Sequence, residues 1–150
     1  MSSMTIGRLA REAGVGIETV RFYERRRLIE QPPKPDGGGF RTYPPHTLER
    51  LRFIRQAQGL GFSLSEIADL LSLRADPSKD CGDVRQRAEA KLGEVERKIA
   101  RLESVRAALQ ELIAACPARG ALRTCSILGA IEEGHTPAAN GPGSREGARA

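Results

Sequence analysis

From residue 81 to about residue 115 the sequence contains no proline and no glycine beyond Gly82 and Gly93. Its apolar residues, Val84, Ala88, Leu92, Val95, Ile99, Leu102, Val105, Leu109, Leu112 and Ile113, follow one another in alternating steps near three and four. That spacing is the mark of one continuous helix with a narrow apolar stripe about five heptads long. A stripe this narrow cannot bury itself, so the helix requires a partner helix, and a second copy of the chain is the expected one. With 150 residues in all, the chain has room for one small domain besides this rod.

That domain is expected ahead of the rod. Charged residues are plentiful, aromatics few and Trp absent, which is the composition of a helix-rich protein without a large aromatic core. Residues 1 to 60 hold eleven Lys and Arg against six Asp and Glu, whereas the remaining residues hold thirteen of each. The excess positive charge therefore sits in the first 60 residues, a patch that suits a polyanion such as nucleic acid. Thr5 is a plausible cap before Ile6, Leu9, Ala10 and Ala13, and Gly14-Val15-Gly16 then turns the chain into a second helix from about Ile17. Two short helices joined by a Gly-containing turn form the helix-turn-helix pattern, and Arg21, Arg25, Arg26 and Arg27 on the second helix suit a groove-binding role. "QPPKPDGGGFRTYP" then reads as a β-hairpin wing. Pro44 and Pro45 end it, a helix carries Leu48, Leu51, Ile54 and Ala57 to Gly59 or Gly61, and Ser63 with Glu66 forms a capping box for a fourth helix.

No apolar run approaches the ~20 residues of a membrane helix and the amino terminus does not read as a signal peptide, so a cytoplasmic protein without a membrane partner is expected. Beyond Cys125, "ILGAIEE" fits one or two helical turns, and "GHTPAANGPGSREGARA" lacks periodicity and should be disordered. An enzyme is not expected: neither His46 nor His135 has the context of a catalytic base, and no phosphate loop or paired-carboxylate motif occurs.

The three cysteines are Cys81, Cys116 and Cys125. Cys81 and Cys116 are five heptads apart on one stripe, at the two ends of the rod, ~50 Å from each other at 1.5 Å per residue. They meet only between chains. An antiparallel dimer brings Cys81 of one subunit to Cys116 and Cys125 of the other, while a parallel dimer gathers four thiols at one end; spacing does not choose between these. Cys81 lies at a helix start, where the dipole favours negative charge, and the loop from Cys116 to Cys125 carries Pro117, Arg119, Gly120 and Arg123. Sulfur donors without a nearby His or carboxylate shell favour a thiophilic ion. A disulfide redox switch between subunits uses the same geometry and stands as the alternative.

These motifs, "TIGRLAREAGVGIETVRFYE", "FRTY", "RLRFIRQAQGLGFSLSEIADLL", the long helix and the cysteine pattern, together resemble the MerR family of transcription regulators, and the cysteines resemble its mercury-responsive members. The resemblance implies an all-α fold with a small β wing. A winged helix-turn-helix would occupy 1–75, an antiparallel coiled-coil dimerisation helix 80–116, a metal-binding loop and short helix 116–133, and a disordered tail 134–150. It implies a homodimer on double-stranded promoter DNA that activates RNA polymerase by underwinding the promoter when metal binds. Thr19, Arg21, Tyr23, Arg41 and Tyr43 would contact DNA, mainly phosphates. Cys116 and Cys125 of one subunit with Cys81 of the other would hold Hg(II) as effector in a three-coordinate site. Arg27 stands where many relatives place glycine. Relatives that sense Pb or Cd share the three-cysteine core, and zinc sensors usually carry a further Cys at the position of Ala115, so another divalent ion is the alternative effector.

Overall fold

The computed structural model describes residues 3–134, among which are six α-helices, one 3₁₀ turn and no strand. The helices are α1 (Ile6–Ala13), α2 (Ile17–Arg25), α3 (Pro45–Gly59), α4 (Leu64–Ala75), α5 (Cys81–Ala115) and α6 (Ser126–Glu133). The chain divides into two compact units between Arg87 and Ala88, within α5.

The first unit begins with the expected cap. Thr5 Oγ1 accepts the Arg8 N–H at 3.4 Å, and α1 then turns Leu9 and Ala10 inward. At its end Gly14, with φ 71°, lets its own N–H reach the Arg11 carbonyl and the Val15 N–H reach that of Ala10. This left-handed stop satisfies carbonyls that the helix leaves open. It also sets α2 against α1, where Val20 and Tyr23 face the interior. Pro45, whose missing N–H costs nothing in a first turn, opens α3, and Leu51 and Ile54 from it are fully buried. Ser63 and Glu66 form the reciprocal box at α4, the Glu66 N–H reaching Ser63 Oγ at 3.2 Å and the Ser63 N–H reaching Glu66 Oε1 at 2.8 Å. Leu9, Val20, Leu51, Ile54 and Ile67 meet in a single core, each burial contributing ~1.5–3 kcal/mol.

The expected hairpin is not formed. Gly37, Gly38 and Gly39 do turn the chain, all with positive φ, and the Gly38 N–H bonds the Pro35 carbonyl at 3.2 Å. The segment before that turn holds Pro32, Pro33 and Pro35, whose rings remove the amide donors a second arm would need. Tyr43 pairs instead with Met4 in an isolated antiparallel bridge, with reciprocal N–H to carbonyl bonds of 3.1 and 2.8 Å.

In the second unit α5 continues to Ala115 and exposes its apolar stripe: Leu102 is 66% exposed and Leu109 52%. Ala108 and Leu112, one turn apart, are covered, as is Lys91, whose Nζ donates to Glu94 Oε2 at 2.7 Å. A 3₁₀ turn at Leu122–Thr124 leads to α6, which Gly134 ends in the left-handed conformation. The helical turns expected for "ILGAIEE" are therefore present. Residues 135–150, the bulk of the tail expected to be disordered, lie outside the described residues. No described helix is long and apolar enough to cross a membrane.

Candidate nucleic-acid interface and metal centre

Helical spacing turns Arg21 and Arg25 of α2 away from the buried Val20 and Tyr23, with the half-buried Glu24 at the edge of the face they share. The Met4 bridge then holds Tyr43, and with it Phe40 and Arg41, across from that face. Between them is an open groove of about 570 Å³ lined by Arg21, Arg25, Lys34 and Arg41, with Glu24 and Tyr43 among its walls. The Arg41 Nε is enclosed and has no hydrogen-bond partner among the described residues. A buried donor of this kind is costly to leave unmade, and a phosphate oxygen would satisfy it.

The structure thus brings Arg21, Arg41 and Tyr43 of the expected DNA contacts to one place. It does not bring Thr19 or Tyr23 there. Thr19 is half-buried in the first turn of α2. Tyr23 lies in the core at 2% exposure, and its hydroxyl donates to Gln58 Oε1 at 2.8 Å. The Tyr43 ring is as deeply buried, and its hydroxyl donates to the Glu24 carboxylate. Burial foremost, and then the Glu24 hydrogen bond and charge, hold that phenol protonated well above its ordinary range, against the pull of Arg41 and Arg21. A phosphate reaches either tyrosine hydroxyl only by replacing its present protein partner. Lys34 and Glu24 were not legible as groove residues. The first is hidden among prolines, and the second has no signal except its spacing of three from Arg21.

The three thiols are free. Cys81 is exposed on the first residue of α5, whose start is capped by Asp80: its Oδ1 accepts the Gly82 N–H at 2.8 Å and the Asp83 N–H at 3.3 Å. Cys116 follows the last residue of α5 and is half-buried, and the Ala118 N–H points to its Sγ at 3.4 Å. Ala118, at φ 62°, and Gly120, at φ 122°, bend the loop back toward Cys125, which caps α6. Among the described residues no three His, Cys, Asp or Glu side chains of one chain come close enough to hold a metal ion. Cys81 and Cys116 stand at opposite ends of α5, so a single chain does not assemble the three sulfurs.

A helix-turn-helix with a cationic groove, continued by a long helix with an unpartnered apolar stripe, defines a DNA-binding transcription regulator rather than an enzyme. Residues 4–73 match the model of the MerR HTH family regulatory protein, and residues 48–112 that of the MerR DNA-binding region. The chain is 41% identical over 134 residues to the mercuric resistance operon regulatory protein of Pseudomonas fluorescens, covering 89% of this chain and 91% of that one. It is 43% identical over 131 residues to the HTH-type transcriptional regulator ZntR of Escherichia coli (strain K12), covering 86% and 92%. The crystal structure of the transcription regulator PbrR691 from Ralstonia metallidurans CH34 in complex with lead(II) superposes with a TM-score of 0.75 at 37% identity, covering 85% of this chain and 98% of that one. The chain belongs to the MerR family and is a metal-responsive transcriptional regulator.

Proposed function

We propose that the chain is an Hg(II)-responsive regulator that works as an antiparallel homodimer. In this reading Cys81 of one protomer and Cys116 and Cys125 of its partner supply three thiolates at each end of the paired α5 helices. The observation that carries it is the placement of the thiols at opposite ends of a helix whose apolar stripe is exposed at Leu92, Ile99, Leu102 and Leu109. The donor set fits the ion. All three sulfurs are free, Cys116 Sγ accepts a backbone N–H, and soft donors select soft metals. Arg21, Arg41 and the groove they line would hold promoter phosphates, while Thr19, Tyr23 and Tyr43 would join them only with a rearrangement of their present contacts. Metal binding at the ends of α5 would then underwind the promoter between the two DNA-binding units and align it for RNA polymerase.

The likeness to a lead(II)-bound regulator supports a second reading, in which Pb(II), or another thiophilic divalent ion such as Cd(II) or Zn(II), is the effector on the same three sulfurs. Titrating the reduced protein with each ion, while following sulfur-to-metal charge-transfer absorbance, tests both. The expected result is a band that saturates with Hg(II) below the concentrations needed for Pb(II), Cd(II) or Zn(II), and that is lost in Cys81→Ala while duplex DNA binding persists. Tighter saturation by another ion would replace Hg(II). Absence of any band, with peroxide-induced cross-linking of the protomers, would replace metal sensing by a thiol redox switch.

A further inference from the structure

Glu24 is the only acidic side chain among the described residues that line the cationic groove. It shares that space with Arg21 and Arg25 of its own helix and with Lys34 and Arg41, yet its hydrogen bond comes from none of them: the donor is the Tyr43 hydroxyl. A carboxylate resembles one edge of a phosphate diester, with two oxygens sharing one negative charge. Placed among four cations and holding the groove's one hydroxyl donor, it occupies the electrostatic position that an incoming phosphate needs. Nothing in the packing demands a charge here, since Glu24 is half-buried at the groove wall and a neutral acceptor would serve the Tyr43 hydroxyl.

We propose that Glu24 is a built-in competitor of DNA phosphate, which holds the Tyr43 hydroxyl and offsets one groove cation so that sequence-independent binding to duplex DNA stays weak. This rests on the reading of the groove as the phosphate-binding surface. When a phosphate enters, the Tyr43 O–H turns from Glu24 Oε1 to a phosphate oxygen, and the freed carboxylate is left beside a like charge. That repulsion is set against every phosphate contact in the groove, and only a duplex that also forms the remaining protein contacts overcomes it.

The test uses the full chain and a labelled 30-base-pair duplex of arbitrary sequence, with anisotropy read over a series of KCl concentrations. Glu24→Gln keeps an oxygen to accept the Tyr43 proton and removes the charge. The expected outcome is binding about three- to tenfold tighter at a given salt, with a log K against log [KCl] slope steeper by up to about one. Unchanged or weaker binding, or an unchanged slope, overturns the proposal. Glu24→Asp keeps the charge and is expected to retain the wild-type slope; a slope as steep as that of Glu24→Gln would show that charge is not the cause and would overturn it too. In a Tyr43→Phe background the gain from Glu24→Gln should shrink, because the contested hydroxyl is gone, whereas a full gain there defeats the competition for that hydroxyl. Glu24→Ala, which also removes the charge, takes over if Glu24→Gln does not fold, with the same direction expected. Wild-type protein that shows no salt-dependent duplex binding would instead reject the groove as a phosphate surface, an outcome separable from all of these.

Discussion

At Arg41 the guanidinium is placed by its neighbour: the Tyr43 bridge to Met4 fixes the backbone two residues away, and the Arg41 Nε ends enclosed and unpaired among the described residues. An Arg with an enclosed free donor beside Arg21 is better prepared for a phosphate than one on an open helix face, because less freedom is lost on contact. Arg41→Ala is therefore expected to weaken binding to any duplex and to lower the salt slope by about one, the contribution of a single phosphate contact. A salt titration with an unaltered slope would remove Arg41 from the interface. Arg41 was expected at the interface from resemblance alone, and the structure adds a physical reason in its unmet hydrogen bond. Tyr23 shows the opposite case. The resemblance placed it at the DNA, whereas its ring lies in the core with Val20.

Among the elements, three helices of the first unit stop in the same way, and one of them does so at a cost. After α1 and α3 the left-handed residue is a glycine, Gly14 or Gly61, but after α2 it is Arg27, at φ 58°. The Arg27 N–H bonds the Glu24 carbonyl at 3.0 Å and the Leu28 N–H that of Tyr23 at 2.9 Å, so the stop is complete despite the side chain. Left-handed backbone is unfavourable for any residue with a Cβ, and glycine recovers most of that strain at the expense of a looser unfolded chain. Arg27→Gly is expected to stabilise the protein by about 0.5–1 kcal/mol, seen as a higher urea midpoint. A lower midpoint would mean that the side chain of Arg27 contributes more than its backbone costs. Helix ends were legible in the sequence because caps and stops are local chemistry: Thr5, Gly14 and the Ser63–Glu66 pair all act where expected. The wing was not, because strand pairing depends on which distant segment offers free donors. The proline-rich side could not, and Met4 could.

At the scale of the whole molecule, the exposed stripe of α5 is the surface through which the proposed homodimer would form. In that dimer each apolar side chain buried from Leu92, Ile99, Leu102 and Leu109 would contribute ~1.5–3 kcal/mol against the cost of association. Replacing both Leu102 and Leu109 with Asp is expected to give a monomer by sedimentation. If the proposed three-thiolate site is right, the same variant should also lose tight Hg(II) binding, since among the described residues one chain does not gather three sulfurs. A double variant that stays dimeric would place the interface elsewhere, and one that is monomeric yet binds Hg(II) tightly would break the link between pairing and the metal site.

The amino-acid sequence by itself determined which helices form and the heptad rod with a thiol at each end, but it carried the second helix through Arg26 and Arg27, which lie past the end of α2 at Arg25. Those features rest on interactions within a few residues, and periodicity and capping report them directly. Tertiary structure alone decided the groove. It closed Tyr43 onto Met4 in place of a hairpin, set Glu24 among four cations, turned Tyr23 to Gln58 and left Arg41 Nε without a partner among the described residues. Each of these outcomes depends on which groups from remote segments arrive beside one another, and a side chain's local spacing carries no record of that.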